Sequence, residues 1–276
     1  MKALVLLVVP VACLAARGDD APMPREKESL SPLHEQYQLA AKKYEFFLDK
    51  DHKVPLVLEP RAVLHWTNDD DWSGDVFVWT GRGRPQVIGC ILSGPGKPER
   101  PAYHEFHSLA TEPLGPAEMT AKYRWAPKDG VEFRKLDGAP AATAAGRLPQ
   151  MRAISRDLHA HMEADGKWEL RLLPQPLLRY QPADGPVIDG ALFTWVWTKG
   201  TDPELVVAIE CHRTAKGLEW RCAPLRFTNR EVWLKQGERE IWRVPVHSEE
   251  GGDTCTGVYT TRYGGKITLS AEKPKP

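Results

Sequence analysis

The chain contains little cysteine, almost no asparagine and no net charge. Its 276 residues include five cysteines, and Asn68 and Asn229 are its two asparagines. The 37 lysines and arginines balance 37 aspartates and glutamates. A zero net charge argues against a nucleic-acid-binding protein and against a polybasic membrane-surface protein, because both need a basic footprint. Tryptophan, by contrast, is abundant at ten residues.

Long apolar runs are also missing after the N-terminus. No later stretch reaches the ~20 apolar residues that a helix needs to span a bilayer, so the sequence predicts no transmembrane segment. At the start, Met1-Lys2 precedes a short apolar stretch that ends at Ala16, and acidic polar sequence begins at Asp19. This pattern predicts a signal peptide over residues 1–18 and an exported protein, periplasmic or extracellular. Cleavage after Ala15 or Ala16 is an alternative, and removal of residues 1–18 leaves 35 basic against 37 acidic residues.

Four cysteines follow the predicted cleavage site, and an even number in an exported chain permits disulfides. Cys211 and Cys222 flank a predicted hairpin whose turn lies near Lys216-Gly217, and antiparallel pairing could bring the two side chains opposite each other. Two interpretations stay open. Cys211 and Cys222 form a disulfide, or they are reduced cysteines in neighbouring strands.

The chain matches itself when it is shifted by 114 residues. Segment 51–66 then falls on segment 165–180 without a gap, with six identities where about one is expected by chance. Upstream of each segment, apolar residues recur at helical spacing, over 33–48 and again over 151–162. The sequence therefore predicts an α+β fold built by tandem duplication, in which each unit is one amphipathic helix followed by an antiparallel β-meander.

The repeat sets the predicted domain boundaries. They are a signal peptide over 1–18, a disordered linker over 19–30, a first α+β unit over 31–136, an Ala/Pro/Gly linker over 137–147, a second α+β unit over 148–245, and a partly disordered C-terminal extension over 246–276. Ser31-Pro32 is expected to start the first helix as N-cap and first helical residue. Pro149 is expected in the first turn of the second helix. Hairpins are predicted about residues 81–85 and 199–203.

The segment Tyr103–Ser108 carries the most suggestive side chains for chemistry. Alternate residues of a strand share a face, so Glu105 and His107 should point one way and His104 the other. Glu105 and His107 could act as an acid/base pair or supply two metal ligands. The interpretation that the sequence favours is a structural, hydrogen-bonded pair. Since no third ligand is identifiable, the sequence predicts no metal site and no cofactor.

Trp79 and Trp195 fall on equivalent positions of the repeat. Large rings at repeated positions are typical of core packing, and an exposed surface that stacks on sugar or peptide is the alternative. In that alternative Trp79, Trp195 and His104 are the candidate ligand-binding residues. Asp69–Gly74 resembles part of a calcium loop, but its twelfth position lacks the required glutamate, which favours an acidic turn. His159 and His161, two apart on the predicted helix, would not share a face.

Five strings of the sequence together resemble a family. They are WTN at 66–68, FVWTGRGRP at 77–85, HEFHSL at 104–109, ELRLLPQPLLRY at 169–180 and GALF at 190–193. These strings are similar to those of uncharacterised exported bacterial proteins, and the resemblance covers about residues 30–245. It implies export and supplies no activity, cofactor or functional residue.

Two classes of function stay open. The first is an exported, non-catalytic protein that binds a protein partner, a peptide or a cell-wall glycan. The second is a periplasmic or extracellular hydrolase-like enzyme that uses Glu105 and His107 of the first unit. The sequence favours the first class, because no nucleophile, metal-ligand set or oxyanion loop can be assembled from it.

Overall fold

The protein is mostly β in the computed structural model, which describes residues 31–248 and 252–269. Strands account for 50% of the structure and helices for 10%. The predicted α+β tandem duplication is therefore wrong, because the chain forms several sheets and only two helices in the described residues. The predicted signal peptide and the linker over 19–30 lie outside the described residues.

The elements follow one another in a simple order. The helices are α1 (Pro32–Ala41) and α2 (Ala144–Arg156). The strands are β1 (Val57–Leu58), β2 (Leu64–Thr67), β3 (Ser73–Gly81), β4 (Arg84–Ser93), β5 (Glu99–Ser108), β6 (Ala117–Thr120), β7 (Tyr123–Trp125), β8 (Arg134–Leu136), β9 (Leu158–Glu163), β10 (Lys167–Glu169), β11 (Arg171–Leu172), β12 (Leu178–Tyr180), β13 (Val187–Val196), β14 (Pro203–Thr214), β15 (Gly217–Arg226), β16 (Glu231–Gln236), β17 (Arg239–Val244), β18 (Thr254–Cys255) and β19 (Tyr259–Thr268).

The first large sheet has the order β1-β3-β4-β5-β19, and β2 also pairs with β3. The β3–β4 hairpin turns at Arg82-Gly83, with φ of 52° and 73°. Positive φ at both central residues is what a two-residue type I′ turn requires, and this turn matches the strand twist. The predicted hairpin about residues 81–85 is confirmed.

Part of the predicted C-terminal extension over 246–276 forms a strand of the first sheet. Residues 259–268 form β19, which pairs antiparallel with β5, so that Tyr259 lies opposite His107 and Thr261 opposite Glu105. An unpaired edge of β5 would leave a row of free backbone groups, and β19 supplies their partners. Residues 249–251 and 270–276 lie outside the described part of the chain.

The second large sheet has the order β11-β13-β14-β15-β8, and β12 also pairs with β13. Its three long strands follow the same antiparallel order as β3, β4 and β5. Its outer strand β8 comes from the segment that precedes α2, and Leu136 of β8 lies opposite Trp220 of β15. The predicted boundary after residue 136 therefore does not separate the two sheets.

The start of the first predicted helix is confirmed, but the extent of the second is wrong. α1 begins as expected, because the Ser31 side chain accepts a hydrogen bond from the His34 amide and Pro32 is the first helical residue. The helix predicted over 151–162 is wrong in its second half, where residues 158–163 form β9 in the sheet β10-β9-β16-β17. The N-cap of α2 is Thr143, so Pro149 lies inside the helix and not in its first turn.

Three apolar clusters hold these layers together. One lies between the two large sheets, with Val76 and Ile88 from the first sheet and Leu192 and Val206 from the second. A second packs the outer face of the first sheet against α1. A third packs the outer face of the second sheet against α2 and the sheet that contains β9. The short sheet β18-β7-β6 covers part of the second cluster.

Two further predictions concern a Cys211–Cys222 disulfide and transmembrane segments. Cys211 lies opposite Trp220 and Cys222 lies opposite Ile209, so the two cysteines are offset along the β14–β15 hairpin. Both are free thiols, as are the other two described cysteines, and the disulfide interpretation is not the one the structure adopts. Neither described helix has the length and apolar character needed to cross a bilayer.

Candidate functional site

A cavity of about 410 Å³ opens between the two large sheets. Glu105 reaches it from β5 of the first sheet, Glu204 from β14 of the second, and Asp202 from the turn before β14. Aromatic side chains share the lining: Trp72, Tyr103, Trp197 and Tyr259. We call this cavity the acidic cleft and Glu105, Asp202 and Glu204 its carboxyl triad; the exposed Asp70 also lies on its lining.

Local strand geometry aims these groups into the cleft. On β5 the side chains of Glu105 and His107 face the second sheet, whereas Phe106 packs in the cluster beneath α1. This shared face of Glu105 and His107 is the alternation expected of a strand. Pro203 starts β14, where the absence of an amide donor is tolerated, and Glu204 is the next residue.

Glu105 is buried, with 8% of its surface exposed. The Tyr259 hydroxyl donates a hydrogen bond of 2.7 Å to Oε2 of Glu105. The pKa of Glu105 is raised to about 8, chiefly by burial with a contribution from the nearby Glu204, against the lowering effects of the Tyr259 hydrogen bond and Arg226. Glu105 therefore holds a proton at neutral pH and exchanges it near pH 8.

The other two carboxyl groups are shifted in the same direction. Burial raises the pKa of Glu204 to about 7, against the lowering effects of a Thr228 hydrogen bond and of Arg230. Burial also raises the pKa of Asp202 well above its usual range, and Glu204 and Glu105 add to that rise. Three acids that resist ionisation together are the expected result of crowding like charges in a site of low dielectric.

Two guanidinium groups lie near these acids: Arg230 lines the cleft, and Arg226 lines the neighbouring cavity. Arg226 donates to the backbone carbonyls of Thr228, Arg230 and Pro245. The Arg230 guanidinium lies over the Trp197 ring, 4.6 Å from its centroid. Within the described ranges 31–248 and 252–269, no salt bridge of 4.0 Å or less joins a cation to the carboxyl triad of the cleft.

His107 does not join Glu105 in the cleft. Its Nδ1 donates to the Ser108 carbonyl at 2.7 Å, and burial lowers its pKa to about 4. It lines a separate cavity of about 520 Å³, and Tyr259 lines both cavities. The prediction of a hydrogen-bonded Glu105–His107 pair is wrong, because Glu105 bonds to Tyr259 and His107 to a backbone carbonyl.

The remaining predicted ligand-binding residues lie away from the cleft. Trp79 and Trp195 are each 1% exposed, in the clusters beneath α1 and α2. They are core residues, and neither can stack on a ligand without repacking. The Nδ1 of His104 is hydrogen-bonded to the hydroxyl of Tyr44, in the segment that follows α1, and burial lowers the pKa of His104 to about 4.

The calcium-loop-like segment and the His159/His161 pair also lie outside a binding arrangement of the kind considered from the sequence. In the Asp69–Gly74 segment, residues 69–72 form a turn that leads into β3, and Oδ1 of Asn68 accepts from the amides of Asp70 and Trp72. His159 and His161 lie on β9 rather than on a helix, so they share the outward face of a strand. His159 pairs with Glu169 at 3.2 Å on that surface.

A second polar cluster lies on the outer face of the first sheet. His34 of α1 and His65 of β2 each place Nδ1 2.7 Å from the same oxygen, Oδ1 of Asp75 on β3. The two rings meet edge-on with centroids 4.6 Å apart. We call these three residues the histidine–aspartate cluster. In the described chain they are the one group of histidine, cysteine or carboxylate side chains whose ligand atoms lie close enough to hold a metal ion, within 4.8 Å of one another.

Sequence reasoning missed most of these residues. Asp202 and Glu204 flank a proline in a predicted hairpin turn, and that local pattern indicates only a turn. His34, His65 and Asp75 are separated by tens of residues and carry no recognisable spacing. One signal was available for Asp75, which interrupts an otherwise apolar strand. A charged residue in such a strand usually marks a buried partner or a site.

The acidic cleft combines ionisable acids, aromatic walls and an opening to solvent. Such a cavity can accept a polar or cationic group and exchange protons with it. No serine, cysteine or histidine is among the described residues that line the cleft. No family model, no curated protein and no solved structure matches this chain.

Proposed function

We propose that the protein is an exported, non-catalytic binding protein whose acidic cleft takes a ligand that presents an amine or a guanidinium, as a basic peptide side chain does. One observation carries the proposal. Glu105, Asp202 and Glu204 converge on one cavity, and no cation forms a salt bridge with any of them in the described chain.

The physical reason is the cost of burying like charges. Burial raises the pKa of all three acids, and neighbouring carboxyl groups add to the rise for Glu105 and Asp202. Arg226 and Arg230 offset these shifts in part, but neither forms a salt bridge with the acids, which therefore stay largely protonated. An entering cation supplies the missing charge and favours the ionised acids. Trp72 and Tyr103 on the cleft wall add an aromatic surface that attracts cations. The volume of about 410 Å³ suits a group the size of one amino-acid side chain.

The hydrolase-like alternative has weaker support. It requires Glu105 and His107 to act together. Glu105 lines the acidic cleft, His107 lines the cavity of about 520 Å³, and Tyr259 lines both cavities. The imidazole is also occupied by a backbone carbonyl through Nδ1. A general base must reach the proton that it abstracts, and these two side chains do not converge on one point.

The binding proposal predicts a specific calorimetric result. 1,5-Diaminopentane, which carries two ammonium groups, should bind at pH 8.5, and 1,5-pentanediol of equal length should not. Affinity should rise roughly tenfold or more between pH 6 and pH 8.5, because Glu105 and Glu204 ionise over that range. Glu204→Gln should weaken binding roughly tenfold or more, since one carboxylate is lost.

The matched control is Glu118→Gln. Glu118 lies on β6 and forms a surface ion pair with Arg124 at 3.3 Å, outside the cleft. This variant should bind the diamine as the parent protein does. Equal affinities for diamine and diol, or unchanged binding by Glu204→Gln, would overturn the proposal.

Export makes a separate prediction. The basic start, short apolar core and small residues before Asp19 are the features of a cleaved signal peptide. N-terminal sequencing of the protein recovered from its native host should therefore start near Asp19. Recovery of the chain with Met1 intact from the cytoplasm would contradict export and would leave the binding proposal untouched.

A further inference from the structure

The histidine–aspartate cluster joins three separate elements at one carboxylate oxygen. Asp75 is 1% exposed, and its ion-pair partners in the described chain are His34 and His65. An imidazole carries a positive charge only when it is protonated. A buried carboxylate whose partners are two imidazoles therefore lacks a permanent counter-charge.

The second sheet also contains a buried aspartate, Asp189, but its two partners are arginines. Asp189 of β13 is fully buried and accepts hydrogen bonds from Arg147 of α2 and Arg179 of β12. Both guanidinium groups are always charged, so this carboxylate is neutralised by the protein itself. In both sheets a buried aspartate ties a helix and a short strand to a long strand. The first sheet has two nitrogen ligands where the second has two cations.

We propose that His34, His65 and Asp75 form a binding site for a first-row divalent cation, with zinc the foremost candidate. Two imidazole nitrogens and one carboxylate oxygen are ligands that zinc accepts, and cobalt and nickel accept the same set. The cation supplies the positive charge that Asp75 lacks. Three protein ligands leave at least one position for water, which is the arrangement of an open zinc site.

Binding requires a small rearrangement that the site permits. Each imidazole now donates from Nδ1 to Asp75, so each must move its proton to Nε2 before Nδ1 can bind the metal. No net proton is released by this tautomer change. Ligands of a tetrahedral zinc lie about 3.3 Å apart, so each nitrogen must move away from the carboxylate oxygen by roughly half an ångström. The side chain of His65 is 45% exposed, which gives it room to move and gives a hydrated ion access.

The test starts from the full mature protein after chelation with EDTA and dialysis. Zinc chloride should then bind at one equivalent per chain and raise the thermal unfolding midpoint, because the ion binds the folded state alone. Cobalt chloride should give the visible absorption bands of a four- or five-coordinate ion. His65→Gln and His34→Gln should each weaken zinc binding roughly 100-fold or more and abolish the cobalt bands.

The matched control is His159→Gln, which removes an exposed histidine that also pairs with a carboxylate. It should bind zinc as the parent protein does. His65→Gln retains a hydrogen-bonding side chain on a half-exposed position, so circular dichroism in EDTA should report an unchanged fold. If His34→Gln does not fold, His65→Gln decides the assignment. Absence of saturable zinc binding, or equal binding by His65→Gln and the parent, would overturn the site.

Discussion

Replacing Glu210 with alanine should destabilise the protein by about 3–5 kcal/mol. Glu210 of β14 is fully buried between the sheets. Its Oε1 accepts hydrogen bonds of 2.7 Å from Nε of Arg84 and from the Tyr180 hydroxyl, and its Oε2 is 2.8 Å from Nε2 of His212. Removal of the carboxylate leaves three polar groups without their acceptor, and one of them is a permanent cation.

The cation dominates this loss. The Arg84 side chain reaches across from β4 of the first sheet and is 11% exposed. Burial alone would raise the pKa of Glu210, yet the hydrogen bond to His212 and the contacts with Arg84 and Tyr180 outweigh it and hold the pKa below its usual value. The ionised form is therefore the native one. A buried guanidinium without its carboxylate is costly, whereas loss of an ordinary hydrogen bond costs about 1 kcal/mol.

Urea unfolding followed by tryptophan fluorescence should measure this effect, with Glu240→Gln as control. Glu240 pairs with Arg243 on the surface, so its replacement should leave the midpoint nearly unchanged. The double variant Arg84→Met with Glu210→Leu should recover part of the loss, because it removes both charges together. A single Glu210→Ala variant as stable as Glu240→Gln would show that the network contributes nothing.

The sequence predicts the hairpins of this fold but not the strand pairs between distant segments. The β3–β4 and β13–β14 hairpins were predictable because their turn residues and strand periodicity are local. Pairing of β8 with β15 and of β19 with β5 was not, because each joins segments far apart in the chain and nothing local encodes the partner. The helix that the sequence predicts over 151–162 extends wrongly into β9. Leu158 and Met162 fit a helical spacing of four, and Ala160 between them shows the strand period of two.

In the candidate sites, too, local features were predictable and long-range contacts were not. The shared face of Glu105 and His107 was predictable, since two residues of one strand fix it. Their separate partners were not, because Tyr259 is more than 150 residues along the chain from Glu105. Convergence of Glu105 with Glu204 likewise depends on how two sheets face each other. Long-range packing decides which ionisable side chains meet, and single-strand periodicity carries no information about it.

Stability should fall as pH rises from 6.5 to 8, and Glu105 should be a principal cause. The folded state raises the pKa of Glu105 from 4.5 to about 8, chiefly by burial. Between those values the folded protein holds a proton that the unfolded chain has released. The free energy of unfolding therefore decreases as pH rises through this window. Glu204, with a pKa raised to about 7, acts in the same direction.

Two histidines oppose this trend at lower pH. Burial lowers the pKa of His104 and of His107 from 6.5 to about 4, so between pH 4 and 6.5 the unfolded chain binds protons that the folded protein does not. Their contribution to stability is lost as pH falls through that window. The two effects oppose each other below pH 6.5, and the carboxyl groups alone act above it. Maximum stability is therefore expected near or below pH 6.5.

Glu105→Gln should remove a large part of the alkaline loss. Glutamine resembles the protonated acid and can still accept the Tyr259 hydrogen bond. The variant should match the parent near pH 4.5 to within about 1 kcal/mol, and should exceed it by about 3 kcal/mol at pH 6.5 and about 4 kcal/mol at pH 8, since one pKa unit corresponds to about 1.4 kcal/mol. Urea unfolding at half-unit pH steps measures both curves, with Glu118→Gln as the surface control. Parallel curves for Glu105→Gln and the parent would mean that the pKa of Glu105 is not raised in the folded protein.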